Sequence, residues 1–263
     1  MRQPLSRMLK LLELFLIAMA LTTGTVNASG VSPLPPKTAS EIQHMLGKLQ
    51  VLGSVMYLAA HPDDENTHLI AHLAKEKGYR TVYLSLTRGD GGQNLIGSEK
   101  GADLGILRTQ EMLAARRIDG AEQWFTRAYD FGYSKSAEET LRFWNREEVL
   151  ADIVWAIRHI RPDVVITRFP SNGGGHGHHT ASAILANEAY LRAADPKSFP
   201  EQLTRTDVWR PERLLWNRSR PPQLNDRHLR LNVGGYIPLL GKSTGEIAGE
   251  SRSMHRCQAM GTT

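Results

Sequence analysis

The chain has 263 residues, of which 41% are apolar, and a formal net charge of +5 at pH 7. This length and composition suit a single globular α/β domain, and a mild charge without a long basic run argues against a nucleic-acid partner. Cys257 is the one cysteine of the sequence, which excludes an internal disulfide.

Residues 1–28 have the pattern of a secretory signal peptide. The segment begins with scattered basic residues, continues with an apolar stretch at 14–21 and ends in Val26-Asn27-Ala28, a small-residue cleavage sequence. The apolar stretch is too short to cross a bilayer. We therefore predict an exported protein, periplasmic or extracellular, with no stable membrane span after cleavage.

A linker and one domain follow the predicted signal peptide. Residues 29–37 contain three prolines and predict an extended linker, and residues 38–263 predict one domain. Thr38 and Glu41 have the spacing of a capping box. The apolar residues behind them recur at helical spacing and predict a short amphipathic helix: Ile42, Met45, Leu46 and Leu49.

The first predicted strand, Val55 to Ala60, leads into His61-Pro62-Asp63-Asp64. Pro62 cannot donate to a sheet, so the strand ends there, and a helical pattern runs on to Gly78. A histidine at a strand end is usually structural, and Asp64 could simply cap the helix. Two adjacent carboxylates are nevertheless better tolerated with a cation between them, which makes a metal site the alternative.

The second predicted strand, residues 81–87, runs into Arg88-Gly-Asp-Gly-Gly92. We interpret these glycines as a tight turn at the ligand-binding edge of the sheet, where Asp90 can reach a ligand, and we reject an adhesion motif. A helix is predicted over residues 104–120. Within it, Arg108 and Glu111 are one turn apart and could pair on the surface.

The strand 164–169 opens into a second turn rich in histidine and glycine, followed by another helix. Together with a strand over 124–129 and a helix over 147–159, the alternation predicts a Rossmann-like α/β fold with a mostly parallel sheet flanked by helices. Both histidine-bearing turns then emerge at the same edge of the sheet. A final helix from residue 243 to 258 has no visible stop signal, so C-terminal truncation is an open alternative.

The two turns together supply the parts of a metal-dependent hydrolase. His61, Asp64 and His179 provide the three protein ligands that a catalytic zinc site commonly uses. Asp63 then remains as the general base, and His176 can face a developing oxyanion. The same ligand set also suits Fe²⁺, Co²⁺ or Mn²⁺. The alternative for the second turn is a metal-scavenging surface tract.

Ala60-His-Pro-Asp-Asp-Glu65 with a later Gly-His-x-x-His resembles the PIG-L/LmbE-like N-acetylglucosaminyl deacetylases, over most of residues 54–260. The resemblance implies the same metal ligands, general base and oxyanion residue. It also implies that Arg108 binds substrate, because Arg108-Thr-Gln-Glu111 looks like the Arg-x-x-Glu helix of that family. Ser253-Met-His-Arg-Cys-Gln258 is similar to the family's C-terminal His-x-Ser-Gln element, with Cys257 in place of serine.

The second turn departs from the family pattern. The family usually has His-Pro-Asp-His, whereas this chain has His176-Gly-His178-His179. The resemblance implies that the missing Asp supports the oxyanion histidine. Because His178 cannot supply a full negative charge, we expect weaker support of His176 here.

These observations predict a zinc-dependent deacetylase that acts on an N-acetylated sugar or glycoconjugate. Two alternatives remain open at this stage. One is a metal-dependent amide hydrolase with a non-sugar substrate, and the other is a carbohydrate-binding module of a longer protein with little turnover. The sequence carries no signal for the oligomeric state.

Overall fold

The computed structural model describes residues 36–173, 175–218, 225–226 and 228–258. The predicted signal peptide and most of the predicted linker lie outside these ranges. The described residues from Ala39 onward cluster as one compact unit. Within the described ranges, no helix combines the length and the apolar character needed to cross a membrane.

Five parallel strands form the central sheet, which confirms the predicted fold class. In chain order they are β1 (Ser54–Ala59), β2 (Arg80–Ser85), β3 (Glu122–Phe125), β4 (Val164–Thr167) and β5 (Arg213–Trp216). Their spatial order is β3-β2-β1-β4-β5. The strand predicted over residues 124–129 begins two residues earlier and is shorter.

One helix precedes the first strand, and the other helices connect the strands or follow the last of the five. They are α1 (Ala39–Lys48), α2 (Thr67–Ala71, continued by a π turn His72–Glu76), α3 (Ala102–Asp119), α4 (Ala137–Phe143), α5 (Arg146–Ile160), α6 (Gly177–Arg192) and α7 (Thr244–Arg252). A two-stranded antiparallel ribbon, β6 (Tyr236–Ile237) with β7 (Lys242–Ser243), precedes α7.

The core lies on both faces of the sheet, because every residue of β1 is buried. Alternate side chains of a strand point to opposite faces. Met56 and Leu58 accordingly pack with residues of α5 and α6, whereas Tyr57 and Ala59 pack with residues of α2 and α3. Helices therefore cover both faces, as a parallel sheet requires.

The strand order places a crevice beside β1. The chain passes from β1 outward to β2 and β3, and then returns to place β4 on the other side of β1. Open α/β sheets bind their ligands at such a reversal, outside the carboxyl ends of the strands. The turns after β1 and β4, which carry the predicted site residues, are therefore neighbours in space.

Three local predictions differ from the structure. The helix α1 forms, but its apolar residues remain about half exposed, from 48% at Ile42 to 76% at Leu49 just beyond it. Arg108 is only 2% exposed, which excludes the open alternative of a surface pair with Glu111. The last predicted helix ends at Arg252, and a separate 3₁₀ turn, Arg256–Gln258, follows it.

Candidate active site

The turn after β1 folds back on itself around Asp64. His61 is the first residue beyond the buried strand, and Pro62–Asp64 forms a 3₁₀ turn. The Asp64 carboxylate accepts a hydrogen bond from the His61 backbone N–H at 2.7 Å and lies 3.1 Å from His61 Nδ1. The following helix is capped by Asn66, whose side chain accepts from Leu69 N–H. Asp64 therefore does not cap α2, and its carboxylate contacts His61 and His179 instead.

The turn after β4 brings a second group of histidines to the same place. His176 is the N-cap of α6, and His178 and His179 lie in its first turn. His179 Nε2 is 3.4 Å from Asp64 Oδ1, and the Phe169 ring stacks on the His179 ring at 3.7 Å between centroids. The start of α6 also packs closely against the segment before α4, because Gly177 has no side chain and a Cβ there would lie 2.1 Å from the backbone oxygen of Ser136.

The predicted metal ligands are therefore adjacent. Asp64 contacts both His61 and His179, and nitrogens of His61, His176 and His179 lie within 4.8 Å of one another. His61, Asp63 and Asp64 also offer atoms within 4.8 Å of one another. Two imidazoles that each contact one carboxylate are a donor set whose chemistry fits a divalent transition metal.

The electrostatics of this cluster favour charged carboxylates. Burial raises the pKa of Asp64, but His61 and His179 more than offset it, and the pKa falls far below its ordinary value. Burial lowers the pKa of His61, yet Asp64 outweighs it and the net direction is upward. His61 and Asp64 therefore stabilise each other's charged forms.

Asp63 is held from three directions. Arg108 Nη2 lies 3.2 Å from Asp63 Oδ1, the Gln258 side-chain amide donates to Oδ2, and Arg252 donates to the Asp63 backbone carbonyl at 2.7 Å. Burial and Asp64 raise the pKa of Asp63, but Arg108, Gln258 and His61 outweigh them and keep it below its ordinary value. Asp63 is therefore ionised at neutral pH, as a proton acceptor must be.

Arg108 owes its position to the glycine-rich turn after β2. Its Nη1 donates to the Gly89 carbonyl at 3.3 Å, and a Cβ on Gly89 or Gly92 would lie 2.3 or 2.4 Å from the same Nη1. The glycines thus make room for a buried guanidinium. Arg108 Nη2 is occupied by the ion pair with Asp63, whereas Nε has no hydrogen-bond partner among the described residues, so one donor of the guanidinium remains available.

Asp90, predicted to reach a ligand, lies in the wall of a cavity of about 490 Å³. Its Oδ2 accepts from the Asp130 backbone N–H at 3.4 Å. Asp130 lines the same cavity, is 6% exposed and belongs to a loop after β3. The sequence analysis missed Asp130, although its place beyond the carboxyl end of a strand was the available signal.

The position that departs from the family pattern does not hydrogen-bond to His176. His178 is fully buried, with Nδ1 3.0 Å from His61 Nε2 and 3.7 Å from Asp130 Oδ1. Burial and the neighbouring histidines lower the pKa of His178 to about 3, so it is uncharged at neutral pH. His176 instead contacts Ser134, whose backbone N–H donates to Nδ1 at 3.3 Å.

A pair behind the site was also missed. Glu65 is buried, and its Oε1 lies 2.7 Å from His255 Nε2 and 3.6 Å from Arg116. The neighbouring Cys257 backbone N–H donates to the Glu111 side chain at 2.7 Å. The C-terminal element with Cys257 in place of serine thus packs against the Asp-Asp-Glu turn and α3.

Comparison with protein families and curated proteins gives consistent matches. A family model described as "PIG-L: GlcNAc-PI de-N-acetylase" matches residues 56–190. The 1D-myo-inositol 2-acetamido-2-deoxy-alpha-D-glucopyranoside deacetylase of Geodermatophilus obscurus is 28% identical over 179 residues, covering 62% of this chain and 60% of that protein. The corresponding deacetylase of Streptomyces scabiei is 26% identical, covering 71% and 59%. The chain thus spans about three fifths of these relatives.

Solved structures share the fold. The N,N'-diacetylchitobiose deacetylase from Pyrococcus horikoshii, complexed with its inhibitor, has a TM-score of 0.56 at 19% identity, covering 85% of this chain and 80% of that chain. The 4-carboxy-2-hydroxymuconate hydratase from Pseudomonas putida has a TM-score of 0.54 at 19% identity, covering 79% of each chain. Because a deacetylase and a hydratase both match, the fold alone does not identify the reaction.

Proposed function

Since this chain belongs to the PIG-L family, we propose that it is a metal-dependent hydrolase that removes the acetyl group from an N-acetylglucosamine-type sugar. The observation that carries the proposal is the meeting of two turns, after β1 and β4, in which the Asp64 carboxylate contacts both His61 and His179 and Asp63 lies beside His61 and Asp64. The family match and the deacetylase names of the curated relatives support the same chemistry.

His61, Asp64 and His179 would hold the metal, and zinc is our first choice for its identity. When bound, a divalent cation supplies Lewis-acid chemistry that activates water and polarises the acetamide carbonyl. Iron, cobalt and manganese suit the same ligands. The histidine–carboxylate contacts described above support this assignment.

Asp63 would move the protons of the reaction. Its ionised carboxylate accepts a proton from the attacking water and returns it to the nitrogen that leaves as the free amine. Gln258 and Arg108 hold the two carboxylate oxygens in place. Because both contacts come from outside the turn of residues 61–64, the base is positioned independently of the metal ligands.

His176 would stabilise the developing oxyanion. His176 Nδ1 lies 3.3 Å from the Ser134 backbone nitrogen and 3.4 Å from the Ser134 carbonyl oxygen. For this role we assign the neutral tautomer with its proton on Nε2, in which Nδ1 accepts from the Ser134 N–H. Burial and the neighbouring histidines His61 and His179 lower the pKa of His176, so the neutral ring is the relevant form. Nε2–H can then donate without the carboxylate that the family has at position 178. Without a carboxylate at position 178, His176 therefore lacks the positive charge of an imidazolium but keeps its Nε2–H donor.

The test is acetate release from a panel of N-acetyl compounds by metal-loaded and chelator-treated protein. N-acetylglucosamine, N,N'-diacetylchitobiose and an N-acetylglucosaminyl inositol represent the sugar class, and N-acetyl amino acids represent other amides. We expect acetate and a free amine from the sugars only, and recovery of activity when metal is restored. Release from the amino acids alone would favour the non-sugar amidase, and sugar binding by calorimetry without acetate would favour a binding module.

We also propose that the protein is exported. The basic start, short apolar stretch and small-residue sequence at 26–28 support this proposal. Mass spectrometry of full-length protein expressed in a bacterial host should find a mature N-terminus at Ser29 in the exported fraction. An uncleaved chain confined to the cytoplasm would contradict export.

A further inference from the structure

The side of His61 that faces away from Asp64 carries a second set of metal-ligand atoms. His61 Nε2 lies 3.0 Å from Nδ1 of His178, and Asp130 Oδ1 lies 3.7 Å from the same Nδ1. One ligand atom from each of these residues lies within 4.8 Å of the other two. The set has two imidazoles and one carboxylate, the composition of the ligand set formed with Asp64 and His179.

The distances fit a coordinated ion. Ligand atoms bonded to zinc at about 2.0–2.1 Å in a tetrahedral site are about 3.3 Å apart, and the two separations at His178 Nδ1 lie on either side of that value. The three residues are 7%, 6% and 0% exposed for His61, Asp130 and His178. Small movements of the side chains would bring both separations at His178 Nδ1 to the value expected around a zinc ion.

Aromatic packing and burial fix the position of His178. The rings of Phe131 and Trp144 lie 4.4 and 5.0 Å from the His178 ring between centroids. His178 Nε2 is buried without a hydrogen-bond partner among the described residues. The uncharged ring thus has its polar contacts at Nδ1 alone, where His61 and Asp130 converge.

The set borders a cavity through Asp130. Asp130 and Phe131 line the cavity of about 490 Å³ whose other wall is the glycine-rich turn at Gly91 and Gly92. Asp130 Oδ1 also accepts from Gly132 N–H at 2.8 Å, which fixes the carboxylate at the inner end of that cavity. An entry path is one of the features a metal site requires.

We propose that His61, His178 and Asp130 form a second, inner binding position for a divalent transition metal. A neutral imidazole has one free lone pair, so His61 serves either this inner position or the outer position with Asp64 and His179. The chain therefore binds one ion, which alternates between two positions. An ion in the inner position removes His61 from the outer set and leaves that set with two ligands.

The experiment measures zinc affinity and stoichiometry by titration against a chromophoric chelator, with metal analysis of the dialysed protein. The first variant is the double substitution Asp64→Asn/His179→Ala, which removes two outer ligands. It should still bind one zinc per chain. Adding Asp130→Asn to this double variant, or separately adding His178→Phe, should weaken zinc binding by more than about 100-fold. A loss of that size exceeds the range for residues that only support a metal ligand.

A matched control is Glu99→Gln, a carboxylate on the same cavity that is outside the proposed set. In the double-variant background it should leave zinc affinity unchanged. Far-UV circular dichroism and thermal melts check that each variant is folded, and the single variant His179→Ala replaces the double variant if the latter does not fold. The measurement does not involve acetate release, so its outcome is independent of the proposed hydrolase activity.

Three results would overturn the inner position. They are a folded double variant that binds no zinc, unchanged affinity after Asp130→Asn and His178→Phe, and two zinc ions bound to one wild-type chain. The first two would show that the inner set is no ligand set. The third would contradict the sharing of His61.

Discussion

Replacing the proposed general base, Asp63→Asn, separates proton transfer from metal binding. Asparagine has nearly the same shape but cannot take the proton, and a positioned base contributes typically about 10²–10⁴-fold to a rate. We therefore expect kcat to fall by that factor, or roughly 3–5 kcal/mol in activation free energy. The metal should stay bound, because His61, Asp64 and His179 are intact.

The structure also sets the effect of Asp63→Asn on stability. Asparagine can still accept from the Gln258 amide, but Arg108, which is 2% exposed, loses its carboxylate partner. The Asp63 side chain is 27% exposed, so water offsets part of that loss, and we expect a cost of about 1–3 kcal/mol. In a domain of this size, each kcal/mol lowers Tm by roughly 2–4 °C.

The assay is acetate release at saturating substrate, with metal content and a thermal melt measured on the same preparation. Glu122→Gln is the matched control, because Glu122 begins β3 at the opposite edge of the sheet. It should keep its kcat within about twofold of the wild type, since surface changes away from special features are usually small. A kcat within tenfold of wild type in metal-loaded Asp63→Asn would refute the assignment of the base.

Three further predictions concern single arginine and glutamate residues. Arg108→Lys should lower kcat/KM at least about tenfold with metal content unchanged, because an ammonium group cannot reproduce the planar N–H donors of a guanidinium. Wild-type kinetics in this variant would contradict a role of Arg108 in the site. Arg158→Met should lower the free energy of unfolding in urea by at least about 3 kcal/mol. The reason is that this buried guanidinium donates to five backbone carbonyls, one on the last residue of α6 and four in the segment that follows it. A loss under about 1 kcal/mol would show that water replaces those contacts. Glu122→Gln should cost at most about 1 kcal/mol at pH 7. The hydrogen bonds with Arg80 lower the pKa of Glu122 below the ordinary 4.5, so the ionised Glu122 stabilises the fold above that pH. The difference in free energy of unfolding between wild type and Glu122→Gln should therefore shrink as the pH falls below 4.5. An equal difference at pH 7 and pH 4 would contradict an ionic origin.

The sequence by itself determined the elements and the edge at which the site lies. The period of the apolar residues is a local property, so it located β1, β2, β4, α3, α5 and α6 to within a few residues. Strand–helix alternation then required parallel strands with their carboxyl ends on one side. This placed His61 and His179 at one edge, and the distances from Asp64 to both histidines confirm it.

At two other places, tertiary packing gave a burial different from the one that the local sequence pattern suggested. The spacing of Arg108 and Glu111 suggested an exposed pair, but the absent side chains of Gly89 and Gly92 leave a space that the Arg108 guanidinium fills. Periodicity also gave α1 an apolar face, which stays largely exposed along the described helix. Spacing reports which residues share a face and cannot report what that face meets.

Only the tertiary structure decided which distant residues complete the site. Strand order placed β4 beside β1, so His178 meets His61 at 3.0 Å instead of acting through a hydrogen bond to His176. Asp130 lies in a loop and Gln258 in a 3₁₀ turn. Neither segment has a periodic apolar pattern, and long-range packing brings both residues to the site. Local residue types thus fixed the chemistry available, while the meeting of segments more than a hundred residues apart fixed which side chains share it.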